Sequence, residues 1–246
     1  MAHEAFLSRQ ARGLRESAIR KMGALIGQVE DVVSFAPGYP SEELFDWDAL
    51  RAIAAELLSG RDGKALQYGA TRGYRALIDQ MAERGVRSGA DQVIVTTGSQ
   101  QALDLLARVL IDPGDVLLVE LPSYVGAISA FQNLGATLVG VPQAPDGIDL
   151  EALRATTARL RAEGRVVKAF YTVPNFQNPT GRLVSLAKRT ALVEWAVADD
   201  VLIIEDDPYG ALYFEDVTTA AETRPIAADD RDGRVICGRR IRPSGM

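Results

Sequence analysis

The sequence predicts an α/β protein: a mostly parallel sheet with helices packed on both faces, a three-layer α/β/α arrangement. Three observations carry that prediction. From Gln92 onward, short β-branched or apolar runs alternate with segments of helical periodicity. Most of these runs are continuously apolar rather than alternating, as strands buried on both faces are. The 246 residues, 47% hydrophobic and 24% charged, are enough to bury such a core.

Taken in order, residues 9–26 mix apolar and basic positions at helical spacing. The stretch from Ser34 to Ser41 contains Pro37, Gly38 and Pro40, which forbid a helix there. Asp48 to Ser59 reads as an amphipathic helix, with Ile53, Leu57 and Leu58 on its buried side and Gly60 ending it. The strand candidates are 93–96, 116–119, 137–139, 166–173 and 201–204, with a sixth over 234–237. The helix candidates between them are 101–110, 125–134, 150–162 and 186–198. This divides the chain into an N-terminal segment, residues 1–45, and a large domain, residues 46–246.

A formal net charge of −6 argues against a general nucleic-acid binder, whose phosphate contacts need a basic surface. It leaves room for a small anion, which a few backbone N–H groups can hold whatever the overall charge. Cys237 is the only cysteine, so a reducing, cytoplasmic setting is expected. His3 is the only histidine and is read as solvated; a metal site or a histidine triad would lack partners. No secretory signal and no apolar run of membrane-spanning length are seen, so no membrane partner is expected.

Open α/β sheets bind ligands at the carboxyl ends of their strands. After the first strand candidate stands Thr97-Gly98-Ser99-Gln100-Gln101, either a phosphate cradle at a helix N-terminus or a plain N-cap serine. After the second stands Glu120-Leu121-Pro122-Ser123-Tyr124, whose tyrosine either stacks on a flat ligand or packs the base of a helix. After the fourth, Asn178-Pro179-Thr180-Gly181 is a turn that also holds an amide rigidly at the strand mouth. After the fifth comes Glu205-Asp206-Asp207-Pro208-Tyr209, and a carboxylate ending a buried strand is costly unless a positive group pairs with it. A protonated pyridine nitrogen would supply that pairing. Together the four ends offer a phosphate cradle, a ring, an amide donor, and a carboxylate with a phenol three positions on. That is the environment a phosphorylated pyridine aldehyde requires.

With these segments in view, the sequence resembles the class I/II aminotransferases of pyridoxal-phosphate fold type I. It is most similar to the branch of 2-aminoadipate and multisubstrate aminotransferases, whose domain is shared with MocR-type regulators. The matching segments also include Ser34 to Pro40, Leu66-Gln67-Tyr68-Gly69 and Gly73-Tyr74. The resemblance implies that pyridoxal 5'-phosphate is the cofactor, with Ser99 and Gln100 on its phosphate and Tyr124 stacked on its ring. It places Asn178 and Tyr209 on the ring's phenolic oxygen and Asp206 on the pyridinium nitrogen. It sends Tyr68 to the phosphate of a neighbouring subunit, hence a homodimer, and puts Arg20 and Gly38 at the substrate entrance. The implied partners are an α-amino acid and a 2-oxo acid, with no metal.

One departure qualifies these expectations. In the family, the strand matching 234–237 is followed by a serine–lysine pair whose lysine bonds the cofactor and moves protons. Here Gly238-Arg239-Arg240-Ile241-Arg242-Pro243-Ser244-Gly245-Met246 follows, and none of Lys21, Lys64, Lys168 and Lys188 stands at a matching place. The expectation is therefore a large domain incomplete at its C-terminus, truncated before the lysine and impaired in catalysis, with unpaired strand edges. The alternatives are a non-catalytic fragment or a cofactor-sensing effector domain of the MocR kind.

Overall fold

The computed structural model describes residues 4–13, 41–60, 63–84 and 89–239. The chain forms two compact units, one of residues 1–69 with 242–246 and one of residues 70–241.

In the first unit, α1 spans Arg9–Gly13 and α2 spans Trp47–Ser59. Asp46 caps α2 by accepting from the Ala49 N–H at 2.9 Å, a local start signal that fixes where the helix begins. The helix expected from the sequence is present, but its buried side is not. Ile53 is 55% exposed, and Leu57 and Leu58 are each 61% exposed. An apolar stripe states a demand for a partner surface, and no described element of this unit meets it. The proline-rich stretch 34–40, with Gly38, and Arg20 lie outside the described residues.

In the second unit, six strands run β1 Val116–Leu121, β2 Thr137–Ala144, β3 Gly147–Ile148, β4 Val167–Thr172, β5 Leu202–Asp207 and β6 Val235–Arg239. The sheet order is β3-β2-β1-β4-β5-β6, with every pairing parallel except β2 with β3. The helices are α3 Arg75–Arg84, α4 Ser99–Leu110, α5 Val125–Asn133, α6 Leu150–Ala162 and α7 Leu186–Ala198.

The two-residue period of a strand sorts the core into two layers. Val116, Leu118, Phe170 and Ile203 pack with Leu153, Leu160, Leu192 and Trp195 of α6 and α7. Leu117, Val119, Ala169, Tyr171 and Ile204 pack on the other face with Leu103, Ala107, Ala127 and Phe131 of α4 and α5. The continuously apolar strand runs reflect this double burial, and the three-layer α/β/α fold is as the sequence predicts.

Residues 93–96 are a correction: they are not a strand. The Val95 N–H bonds the Arg72 carbonyl at 2.9 Å, outside any ladder. β propensity makes a segment extended, but a strand also needs a neighbour. Among the described residues β6 is paired only with β5, so no ladder reaches 93–96 from that side. Two further elements are absent from the sequence expectations: α3, and the two-residue β3, which is too short for any periodicity to register.

Candidate functional site

The carboxyl ends of β1, β4 and β5 and the N-termini of α4 and α5 form one face of the second unit. At the head of α4, Gly98 has φ 149°, a conformation that side chains rarely adopt. It turns the chain so that α4 starts with the Ser99 and Gln100 N–H groups free of acceptors among the described residues, as the first turn of a helix leaves them. The Gln101 side chain folds back to accept from the Thr97 N–H at 2.7 Å, which stiffens the turn. Gln100 Nε2 donates to the Gly126 carbonyl at 3.2 Å and ties this turn to α5.

Tyr124 caps the start of α5, and its ring lies over Gly126. A Cβ at Gly126 would stand 2.5 Å from that ring, so the glycine lets the phenol lie flat along the helix start. Burial, and after it the nearby Asp206 and Tyr209, push the Tyr124 phenol above its usual pKa. Asp206 is 5% exposed. One of its oxygens, Oδ2, accepts from the Tyr171 hydroxyl at 2.9 Å. The other, Oδ1, has no hydrogen-bond partner among the described residues.

The strand period separates the three carboxylates of β5. Asp206 shares the face of Ile204 and Tyr171, toward α4 and α5. Glu205 and Asp207 turn to the other face. Glu205 is fully buried and accepts from the N–H groups of Ile226 and Ala227 at 2.8 and 3.0 Å. Asp207 Oδ1 accepts from Asn175 Nδ2 at 2.7 Å and from the Gly210 N–H at 2.8 Å. Its Oδ2 faces Arg239 Nε at 3.0 Å as an ion pair, without the alignment of a hydrogen bond. The charge of Asp207 is thus already answered by protein, and that of Asp206 is not answered by any described cation.

Buried Arg189 anchors the same side. It donates to the carbonyls of Val184 at 2.9 Å, Arg224 at 2.6 Å and Pro174 at 3.2 Å, and to Asn175 Oδ1 at 2.8 Å. On β1, buried Glu120 accepts from Thr172 Oγ1 at 2.9 Å, the Val173 N–H at 3.1 Å and Gln177 Nε2 at 3.2 Å. Gln177 also donates to the Pro122 carbonyl at 2.9 Å and accepts from the Thr180 N–H at 2.9 Å. These bonds pin the loop of residues 173–181 to the end of β1. Asn178, half-buried on that loop, makes no side-chain hydrogen bond to described residues.

Burial raises Glu120 and Glu205 to about 7 and Asp206 to about 6. Between the ordinary carboxylate pKa and these values the folded chain binds more protons than the unfolded one. Stability therefore falls as pH rises from about 4 to about 8, by roughly 1.4 kcal/mol for each tenfold difference in proton affinity between the folded and unfolded chain. Thermal unfolding is expected to give a higher Tm at pH 5 than at pH 8. A higher Tm at pH 8 would contradict this assignment.

The structure brings Ser99, Gln100, Tyr124, Asp206 and Tyr209 to this one face and puts Asn178 on a loop pinned beside it. Tyr68 lies in the first unit and is fully exposed. Arg20 and Gly38 are outside the described residues. Of the lysines with described side chains, Lys168 pairs with Asp115 at 3.4 Å, and Lys188 pairs with Asp146 at 2.7 Å and bonds the Ile148 carbonyl. A groove of about 620 Å³ between α7 and residues 228–232 lies elsewhere and contains none of these groups. Sequence reasoning missed Tyr171, Arg189 and the role of Glu120. A phenol inside a buried strand needs a polar partner, and that signal could have flagged Tyr171.

A family model described as aminotransferase class I and II matches residues 30–238. Aromatic-amino-acid aminotransferase 1 of Thermococcus litoralis is 38% identical over 239 residues, 95% of this chain and 56% of that protein. The 2-aminoadipate transaminase of Thermus thermophilus is 41% identical over 212 residues, 86% of this chain and 51% of that protein. Among solved structures, the kynurenine aminotransferase of Pyrococcus horikoshii, in complex with PMP, superposes with a TM-score of 0.85 at 36% identity. That match covers 95% of this chain and 58% of the other. The chain thus spans a little over half the length of the proteins it matches.

Proposed function

We infer function from one premise: the chain belongs to the class I and II aminotransferases. We propose that its residues form the ring- and phosphate-holding part of a pyridoxal-phosphate aminotransferase, acting between an α-amino acid and a 2-oxo acid. The observation that carries this is Asp206, a buried carboxylate with one oxygen held by Tyr171 and the other unpartnered among the described residues. Such a group is stabilised by a protonated ring nitrogen, and the residues present fit the cofactor.

When bound, pyridoxal phosphate supplies an electron sink for the α-carbon of the amino acid. The chain's own part is positional and electrostatic. Asp206 holds the proton on the ring nitrogen by its negative charge. The Ser99 and Gln100 N–H groups and the Ser99 hydroxyl receive the phosphate at the positive end of α4. Tyr124 covers one face of the ring, and Asn178 and Tyr209 donate to its phenolic oxygen. Tyr68 reaching a neighbouring phosphate in a homodimer, and Arg20 and Gly38 at the substrate entrance, belong to the same proposal. Lys168 and Lys188 are engaged in ion pairs of their own, so neither is assigned a part in holding the cofactor.

Equilibrium titration of the 246-residue chain with pyridoxal phosphate tests the reading. Saturable binding is expected, at least tenfold tighter than for pyridoxal without the phosphate, about the worth of one charge-assisted contact. Equal affinity for the two, or no binding, would sink it.

A further inference from the structure

Tyr171 is not among the residues that the resemblance places on the cofactor, yet its placement is specific. It sits on the central strand β4 with no exposed surface, paired in register with Ile204 of β5. Asp206 is two residues beyond Ile204 on the same face, so the phenol meets the carboxylate diagonally across two parallel strands. The Tyr171 ring is braced by Phe131 of α5, with centroids 5.6 Å apart and planes at 66°. That packing on a strand and a helix aims its hydroxyl at Asp206 Oδ2 at 2.9 Å. A hydrogen bond to one oxygen of a carboxylate fixes the plane of the group and so the direction of the other oxygen.

We propose that Tyr171 is a positioning residue that orients Asp206 and favours its charged form, so that Oδ1 is presented to a basic ring nitrogen. The proposal rests on Asp206 being the group that meets that nitrogen. Burial drives the Asp206 carboxyl upward, the Tyr171 bond opposes that, and the negative charge of Asp207 adds to it. Among the described residues, the titratable groups that interact with Asp206 are Tyr171 from β4, Tyr124 at the head of α5, and Asp207 beside it in the chain. None of these is a cation. Tyr171 itself is held well above its usual pKa, so it stays a donor across the working pH range. With no donor but Tyr171 among the described residues, Asp206 depends on that one bond to remain ionised until a cationic ligand arrives.

The test compares the wild-type chain with Tyr171→Phe and Asp206→Asn, each titrated from pH 5 to pH 9 with two probes. One probe is pyridoxal phosphate; the other is its carbocyclic analogue, with C–H in place of the ring nitrogen. Tyr171→Phe is expected to weaken pyridoxal phosphate about tenfold at pH 7. It should also move the acid limb of its binding curve up by about one pH unit. Affinity for the carbocyclic analogue should not change, which a merely structural role would not produce. Asp206→Asn should erase the preference for the nitrogen-containing probe at every pH.

If Asp206→Asn erases that preference while Tyr171→Phe binds as wild type with an unshifted acid limb, the positioning role is overturned and Asp206 keeps its place at the ring nitrogen. If Tyr171→Phe weakens both probes alike, Tyr171 serves the fold and the proposal is overturned. If Asp206→Asn keeps the wild-type preference, the assignment of Asp206 itself fails and the proposal falls with it.

Discussion

Arg189→Met is expected to remove about 3–5 kcal/mol of stability, the cost of breaking a buried, hydrogen-bonded charge. Methionine fills much of the space but donates nothing. The carbonyls of Val184, Arg224 and Pro174 and the Asn175 amide oxygen would each lose a donor in the interior. The loss spreads further, because Asn175 in turn donates to Asp207 at 2.7 Å. Nearby Glu205 and Asp207, whose charges favour the guanidinium, would lose a neighbouring positive charge, though Asp207 keeps its pair with Arg239. Against the roughly 5–15 kcal/mol that holds a typical domain, such a change leaves little margin. Arg189→Lys should recover little, since one ammonium cannot span acceptors contributed by four residues. Urea unfolding measures both; a loss below about 1 kcal/mol for Arg189→Met would show that the network is incidental.

Asp206→Asn is expected to move stability and binding in opposite directions. In the empty chain the carboxylate is buried with a single donor and its pKa is raised to about 6. Above that pH its charge opposes folding. Removing it should stabilise the chain at pH 8 by roughly 1–3 kcal/mol and change little at pH 4, where the folded carboxyl is already neutral. Affinity for pyridoxal phosphate should fall roughly 10- to 100-fold at pH 8, the worth of one charge-assisted hydrogen bond. Denaturation of the empty chain and titration with the cofactor read the two effects separately. A variant that is less stable and binds equally well would assign Asp206 to the fold instead.

Most of the second unit was legible in the sequence because its strands are buried on both faces. Runs such as Val116 to Val119 carry the fold class in their composition, and α6 and α7 fall on the residues their periodicity marks. The choice of Asp206 over its neighbours came from the family resemblance alone, and in the structure the strand alternation gives Asp206 a face apart from Glu205 and Asp207. What was not legible depends on partners distant in sequence. Residues 93–96 have strand composition but no ladder, and Ile53, Leu57 and Leu58 form a stripe with nothing described of their own unit against it. Tyr171, Glu120 and Arg189 looked like core or surface residues, since their bonds run to groups 5 to 57 positions away in or across loops and strands. Few windows along the chain contain such pairs.

The alternation along β5 has a consequence for tolerated change in this chain. Glu205, Asp206 and Asp207 look like three chances to place one acid at the strand mouth. They are not interchangeable. Inserting or deleting one residue upstream in β5 would still leave an acid at the end of the strand. Asp206 itself would, however, face α6 and α7 instead of Tyr171. The same edit would bring the acid facing α4 and α5 from a position whose bonding partners lie on the other side. Point substitutions in the strand can therefore be graded in effect, whereas a change in its length would part all three acids from their present partners in a single step.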